Sequence, residues 1–305
     1  GIEGYAYRPA KSKRGNREFL PDNYKLIDWS IDFKSGYRWN ENIFYGDILS
    51  YDNDKKASDI KIPWELSRCQ HLITLAESYK LTGNQKYSDE IKYQIIDWIN
   101  NNRFGYGPNW VCAMDVGIRV SNWLVALEII KHSEVLNDKV FLRMLSVSIH
   151  HHYDYLINNL EWNSNLTSNH YLSDIVGIFF ISNYFPHFKN SSKNKTKFKD
   201  EIEKEIFKQT YEDGMDFEGS TNYHRLVLEL FAYSLLIDLK EDNFSKDYKK
   251  RLFKMFQFSA KIIKTDGTIP QIGDNDSGIF LNLANRKLSD HSYLFDLAQK
   301  IFSKK

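Results

Sequence analysis

Cysteine is nearly absent: Cys69 and Cys112 are the only two in 305 residues. Both fall in helix-like stretches without CxxC spacing. That excludes a disulfide framework and a thiolate metal cluster, and two reduced, buried thiols are expected. No charge of one sign dominates. The 41 Lys and Arg face 40 Asp and Glu, a formal net charge of +1, so no global field draws the chain to nucleic acid or to a membrane. No apolar run approaches the roughly 18 residues that span a bilayer. The first ten residues, GIEGYAYRPA, hold neither an initiating Met nor a hydrophobic signal core, which leaves the compartment undetermined. Alternating strand patterns are also scarce, and Gly278–Leu283 is the one stretch that reads as a strand.

What is present is apolar and aromatic. Hydrophobic residues make up 42% of the chain and Phe, Trp and Tyr 15%, enough for a large core with aromatics left over to meet the C–H faces of sugar rings. Residues 1–60 read as an irregular N-terminal segment packed on a main body of residues 61–305. The basic run Lys11–Arg17 reads as solvated. Pro63 stands where a helix can begin, and Trp64, Leu66, His71, Leu72, Leu75 and Ala76 mark its apolar face up to a stop at Gly83. Further helices are predicted over 86–100, 110–131, 136–159, 168–184, 196–210, 220–239, 245–264 and 288–302. Asn190–Lys199 reads as a surface loop. About nine helices joined by short polar links define an all-α chain, an α/α toroid or an α-solenoid. His150, His151 and His152 are consecutive and cannot all face one metal from a helix, so a solvated face with one buried His is expected.

Polar residues collect in four segments. Ser168-Asn169-His170-Tyr171 opens an apolar helix, where Ser168 or Asn169 can serve as the N-cap and an amide beside an imidazole makes an anion-binding pair. Asp213–Arg225 contains two turn glycines, Gly214 and Gly219, a cap at Ser220 or Thr221, and then Tyr223, His224 and Arg225, with Glu218 close by. In Trp110–Arg119, Asp115 and Arg119 share a helix face at i, i+4 and can pair, with Arg119 buried or facing a cleft. Ile269–Gly278 has the start of a calcium loop. However, the twelfth position from Asp274 is Asn285 rather than Glu, so it reads as a tight loop whose carboxylates orient the cleft.

In this order the segments resemble the helical domain of heparinase II/III-like polysaccharide lyases, a group that includes some alginate lyases. The stretches that carry the likeness are Ile62–Leu72 (IPWELSRCQHL), Ala113–Trp123 (AMDVGIRVSNW), SNHYL from Ser168, EGSTNYHR from Glu218 and IPQIGDNDSG from Ile269. The resemblance implies an incomplete α/α toroid of antiparallel helix pairs, with the family's usual C-terminal β-sandwich absent from a chain that stops at Lys305. It implies catalytic roles for Asn169, His170 and Tyr223. Trp110, Arg119, Glu218, His224, Arg225, His71 and Asp274 are the expected substrate-binding residues. The implied partner is an acidic polysaccharide, the implied compartment is periplasmic or extracellular, and no cofactor or metal is called for.

The implied chemistry is β-elimination. Asn169, helped by His170 or Arg119, neutralises a uronate carboxylate, and Tyr223 moves the C5 proton, with His224 or Arg225 as the cation that lowers its pKa. Two other readings stay open: a non-catalytic acidic-polysaccharide module or fragment of a two-domain lyase, and a glycoside hydrolase. The hydrolase needs two carboxylates about 5–9 Å apart, for which Glu218 with Asp274, or Glu65 with Asp115, are the candidates.

Overall fold

The computed structural model describes residues 17–51, 58–275, 278–283 and 287–303. Gly1–Asn16, which includes most of the basic run, lies outside them, as do Asp276 and Ser277 of the calcium-like loop. A short antiparallel ribbon, β1 (Ile31–Asp32) with β2 (Tyr37–Arg38), comes first. The helices follow as α1 (Ile48–Tyr51), α2 (Lys61–Ser67), α3 (His71–Thr82), α4 (Gln85–Asn101), α5 (Ala113–Ile129), α6 (Lys139–Asn158), α7 (Asn169–Tyr184), α8 (Ser191–Lys208), α9 (Thr221–Ile237), α10 (Lys246–Ile262) and α11 (Tyr293–Phe302).

Burial sorts the helices into two layers. α5, α7 and α9 are buried on nearly every face, whereas α4, α6, α8 and α10 each bury a single stripe. A helix apolar all round belongs inside, and an amphipathic one belongs on the rim. Contacts agree: α3, α5, α7 and α9 pack side by side in an inner row, and each touches the outer helix that follows it. This is an open α/α toroid. Since every inner helix is followed by an outer one running back, the inner helices point the same way and their N-termini gather at one end.

Local chemistry sets the boundaries. Gly83 ends α3 in a left-handed conformation (φ 67°), as its position in the pattern predicts. Ser168 caps α7 and Ser220 caps α9, with Ser220 accepting from the Asn222 and Tyr223 N–H groups. Cys69, at φ 56°, breaks the single predicted helix around Pro63 into α2 and α3. Both thiols are free and buried, as expected. Of the three histidines, His152 is fully buried while His150 is exposed, also as expected.

Two expectations fail. Asn190–Lys199 is not a loop, because α8 begins at Ser191. Its apolar stripe, Phe198, Ile202 and Ile206, starts late, and between the buried Ser191 and Phe198 the polar residues of the first turns are exposed or part-exposed. Gly278–Leu283 is not a strand. It threads the centre of the inner row, with its backbone held by side chains instead of by a neighbouring strand. Asn122 Nδ2 donates to the Phe280 carbonyl (3.0 Å), Gln70 to that of Ile279 and Arg225 to that of Gly278 (2.9 Å), while Glu229 accepts from the Phe280 N–H (2.6 Å). The Phe280 ring packs edge-on against Phe180 of α7.

The inner row is tightest between α5 and α7. A Cβ on Gly177 would lie 2.7 Å from the Gly117 Cα, and one on Gly117 would lie 2.6 Å from the Ser173 carbonyl oxygen. The backbones touch, and only hydrogen fits between them. The described part of the N-terminal segment lies against this body. Trp29 and Trp39 are buried, the Ile27 N–H donates to Asp97 (2.8 Å), and Asn109 Nδ2 donates to the Trp29 carbonyl (2.8 Å).

Candidate active site

The gathered N-termini surround a cavity of about 280 Å³. Its wall is built from Lys61, Trp64, Glu65 and Arg68 of α2 and its end, from Cys112, Met114 and Asp115 at the start of α5, and from Ser168–His170 at the start of α7. Glu218, Tyr223 and Leu226 at the start of α9, with Gly278, complete it. Asn169, His170 and Tyr223 thus meet around one space. Asn169 is buried, whereas His170 and Tyr223 are part-exposed.

Carboxylates fix this geometry from the helix starts. Glu218 accepts from the Asn169 backbone N–H (3.2 Å) and from its Nδ2 (2.7 Å), an acidic group on the positive end of α7. Glu161, in the link before α7, does the same for α5, accepting from the Ala113 and Met114 N–H groups at 2.7 and 3.3 Å. Its other oxygen pairs closely with His170 Nδ1. That hydrogen bond raises the His170 pKa, although burial alone would lower it. Burial pushes the Glu161 carboxyl up, but the His170 hydrogen bond and charge and the two backbone N–H groups outweigh it and hold it below its ordinary value. Both shifts favour the ion pair over the neutral pair. Behind it, the buried Asp174 accepts from the Glu161 N–H at 2.7 Å. Burial, and then the Glu161 charge, drive the Asp174 carboxyl well up.

On the opposite wall, Arg68 is clamped between Asp115 (2.5 Å) and Glu65 (2.8 Å). Burial alone would lower the Arg68 pKa, and the charges of Asp115 and Glu65 outweigh it and hold it raised. Trp64 donates its indole N–H to the Pro108 carbonyl (2.7 Å), which fixes its ring on the wall. Trp162 follows Glu161 and is 57% exposed, a second aromatic face close to the cavity in sequence.

Several expected site residues lie elsewhere. Trp110 is buried under Phe104, Trp98, Tyr155 and His152. Arg119 is fully buried, with its guanidinium 4.2 Å from the Trp98 ring centroid and hydrogen bonds to His152 (3.0 Å) and the Asn109 carbonyl (3.2 Å). Asp115 pairs with Arg68 and not with Arg119, and burial lowers the Arg119 pKa to about 10. His224 accepts from the Asp216 N–H at Nδ1 (3.2 Å), so Nε2 carries the proton toward Ser259 (3.0 Å). Burial takes its pKa down to about 4. Arg225 fastens Gly278 and Leu288 to α9 through their carbonyls. Neither His224 nor Arg225 lines the cavity, so neither is the cation beside Tyr223 on that wall. His71 bonds Gln94 (2.6 Å) across the α3–α4 hairpin. Asp274 is exposed, and its backbone oxygen accepts from Ser220 (2.6 Å). Of the expected binding residues, Glu218 lines the cavity. The hydrolase pairs fare no better, because Asp274 is off the wall while Glu65 and Asp115 both engage Arg68.

The residues that sequence reasoning missed are Glu161, Arg68, Trp64, Lys61 and Cys112. Lys61, Trp64 and Arg68 are spaced as one helix face, a signal that was available. Glu161 stands in a link without periodicity and gave none. Among the described residues, Cys112, Glu161 and His170 form the one group with the chemistry of a metal site, their ligand atoms lying within 4.8 Å of one another.

An open toroid with an Asn-His pair and a Tyr at two inner helix starts defines a class of helical domain. The chain belongs to the family described as heparinase II/III N-terminus, whose model matches residues 15–301. Among similar proteins, the heparin-sulfate lyase of Pedobacter heparinus is 28% identical over 227 residues, covering 72% of this chain and 34% of that protein. That of Bacteroides stercoris is 24% identical over 285 residues, covering 83% and 41%. A solved structure of heparinase III shares the fold with a TM-score of 0.63 at 18% identity, over 92% of this chain and 43% of the other. The chain therefore spans well under half the length of these relatives. Among the described residues, no helix is long and apolar enough to cross a membrane.

Proposed function

We propose that this chain is the helical, substrate-gripping part of a polysaccharide lyase that cleaves uronic-acid-containing polymers by β-elimination. The observation that carries the reading is the meeting of Asn169, His170 and Tyr223 on one cavity wall. The relatives named heparin-sulfate lyases support an acidic polysaccharide as the polymer class.

β-Elimination breaks the C5–H bond and the C4–O bond of a uronate. The C5 proton is weakly acidic while the adjacent carboxylate keeps its full charge. Asn169 has two amide donors, one used on Glu218, and the second meets the carboxylate. His170, kept protonated by Glu161, supplies the positive charge beside it. As the C5 proton leaves, charge moves onto the carboxylate oxygens, where these donors are already aimed. Tyr223 takes the proton and returns one to the C4 oxygen. Arg68 and Lys61, cations that line the same cavity, favour the phenolate that the base role requires.

The test is an ultraviolet assay on a panel of uronate polysaccharides, since each elimination leaves an absorbing C4–C5 double bond. A rise in absorbance is expected, and Tyr223→Phe lowers turnover by about 100-fold or more while polymer binding persists. Silence on every acidic polymer, or a fully active Tyr223→Phe, overturns the reading.

A further inference from the structure

Three soft or borderline ligands meet beside the cavity. Cys112 Sγ lies 3.4 Å from Glu161 Oε1 and 4.0 Å from His170 Nδ1, and Glu161 Oε2 bonds His170 Nδ1 directly. The three come from separate places in the chain: the N-cap of α5, the link after α6 and the first turn of α7. In a tetrahedral zinc site, bonds of about 2.3 Å to sulfur and about 2.0–2.1 Å to nitrogen and oxygen set neighbouring ligand atoms roughly 3.5 Å apart. The two sulfur distances already bracket that value. The Glu161–His170 pair must open slightly, which follows when a metal replaces the proton between them. A thiolate, an imidazole and a carboxylate suit zinc, while calcium and magnesium prefer oxygen alone.

We propose that Cys112, Glu161 and His170 form a binding site for a thiophilic divalent cation such as Zn²⁺, and that the bound cation switches the cavity off. Three protein ligands leave a fourth position, and Cys112 and His170 both belong to the cavity wall, so that position faces the substrate space. Coordination displaces the Cys112 thiol proton and the proton shared by Glu161 and His170 into solvent. No covalent bond between heavy atoms changes and no redox step is involved. The switch rests on the lyase reading: a cation on Nδ1 parts His170 from Glu161 and sets its own fourth position in the space that the uronate carboxylate needs. The site itself does not rest on it.

The experiment titrates the full chain with Co²⁺, a spectroscopic stand-in for Zn²⁺, and needs no turnover. We expect one equivalent to give the near-ultraviolet thiolate-to-cobalt band with intense visible bands of tetrahedral cobalt, and Zn²⁺ to erase them. Cys112→Ser loses the thiolate band, Cys69→Ser keeps it, and His170→Gln binds at least about tenfold more weakly. A wild-type titration without the thiolate band overturns the proposal, as does a folded Cys112→Ser protein that retains it. Should Cys112→Ser fail to fold, the wild-type spectrum and His170→Gln decide: unweakened binding in His170→Gln also overturns it. A positive titration together with silence of the chelator-treated, metal-free protein in the ultraviolet lyase assay would refute the lyase reading and leave the metal site standing, and lyase activity that saturating Zn²⁺ leaves unchanged would overturn the switch.

Discussion

Replacing Gly177 by Ala sets two effects against each other at the contact between α5 and α7. The new Cβ would lie 2.7 Å from the Gly117 Cα and 3.1 Å from Leu156 Cδ1. Carbon atoms settle at about 3.5–4.0 Å, so the two helices must part by roughly 1 Å where they touch. Overpacking of this kind costs about 1–3 kcal/mol. Alanine in a helix interior returns about 0.5–1 kcal/mol of backbone entropy. The balance is a loss of about 1–2 kcal/mol, a fall in Tm of several degrees for a chain of this size. Gly117→Ala should behave likewise, since its Cβ would meet the Ser173 carbonyl oxygen at 2.6 Å, an atom that cannot swing aside. Gly83→Ala is the control, with nothing within 4 Å and only its left-handed φ of 67° to strain. Thermal unfolding followed by circular dichroism reads all three. Activity assayed far below Tm should also fall for Gly177→Ala, because α5 and α7 carry adjoining parts of the cavity wall. An unchanged or higher Tm for both Gly117→Ala and Gly177→Ala would mean that helix propensity wins, and that the backbones are not in contact.

Glu218→Gln removes the charged acceptor that holds the Asn169 amide and the first N–H of α7. Losing one charge-assisted bond of about 1.5–3 kcal/mol should lower turnover roughly 10- to 100-fold with the fold intact, and an unaltered kcat would separate Glu218 from the site. Asp216 gives a pH signature. Burial, and then the Glu218 charge, push its carboxyl from 3.8 to about 7 in the folded state. Its contribution to stability is therefore full below about pH 4 and lost as pH rises toward 7. His224, pulled down to about 4 by burial, acts oppositely, destabilising the fold as pH falls from 6.5 toward 4. Asp216→Asn removes the first effect alone, so it should gain roughly 2–4 kcal/mol on the wild type between pH 4 and pH 8 in urea unfolding. Equal differences at both pH values would refute the burial argument.

The helical pairs were legible because the outer helices are amphipathic and Gly83, Ser168 and Ser220 punctuate the pattern. The meeting of Asn169, His170 and Tyr223 was legible through helix starts and the family likeness. Most of the misplaced site residues share one cause. Inner helices are apolar all round, so periodicity does not say which side faces the cavity. Arg119, Trp110, His224 and Arg225 looked like cleft residues because polar groups in apolar runs usually have a purpose. Here the purpose is internal: a guanidinium stacked on Trp98, and an imidazole and a second guanidinium tying neighbouring segments together. The Asn190–Lys199 error has the opposite origin, a solvent face long enough to hide a helix. Glu161 was out of reach because its importance lies in which backbone N–H groups it meets, and that is a matter of folding alone.

The stretch from Gly278 to Leu283 that crosses the middle of the ring has a mechanical consequence. A ring with an empty bore can be threaded, and a polymer held that way slides without letting go. Here Phe280 blocks the bore, anchored by Asn122 and Glu229 from two sides. On the lyase reading, a polymer is met at the rim where the helix starts open and is not threaded through the ring.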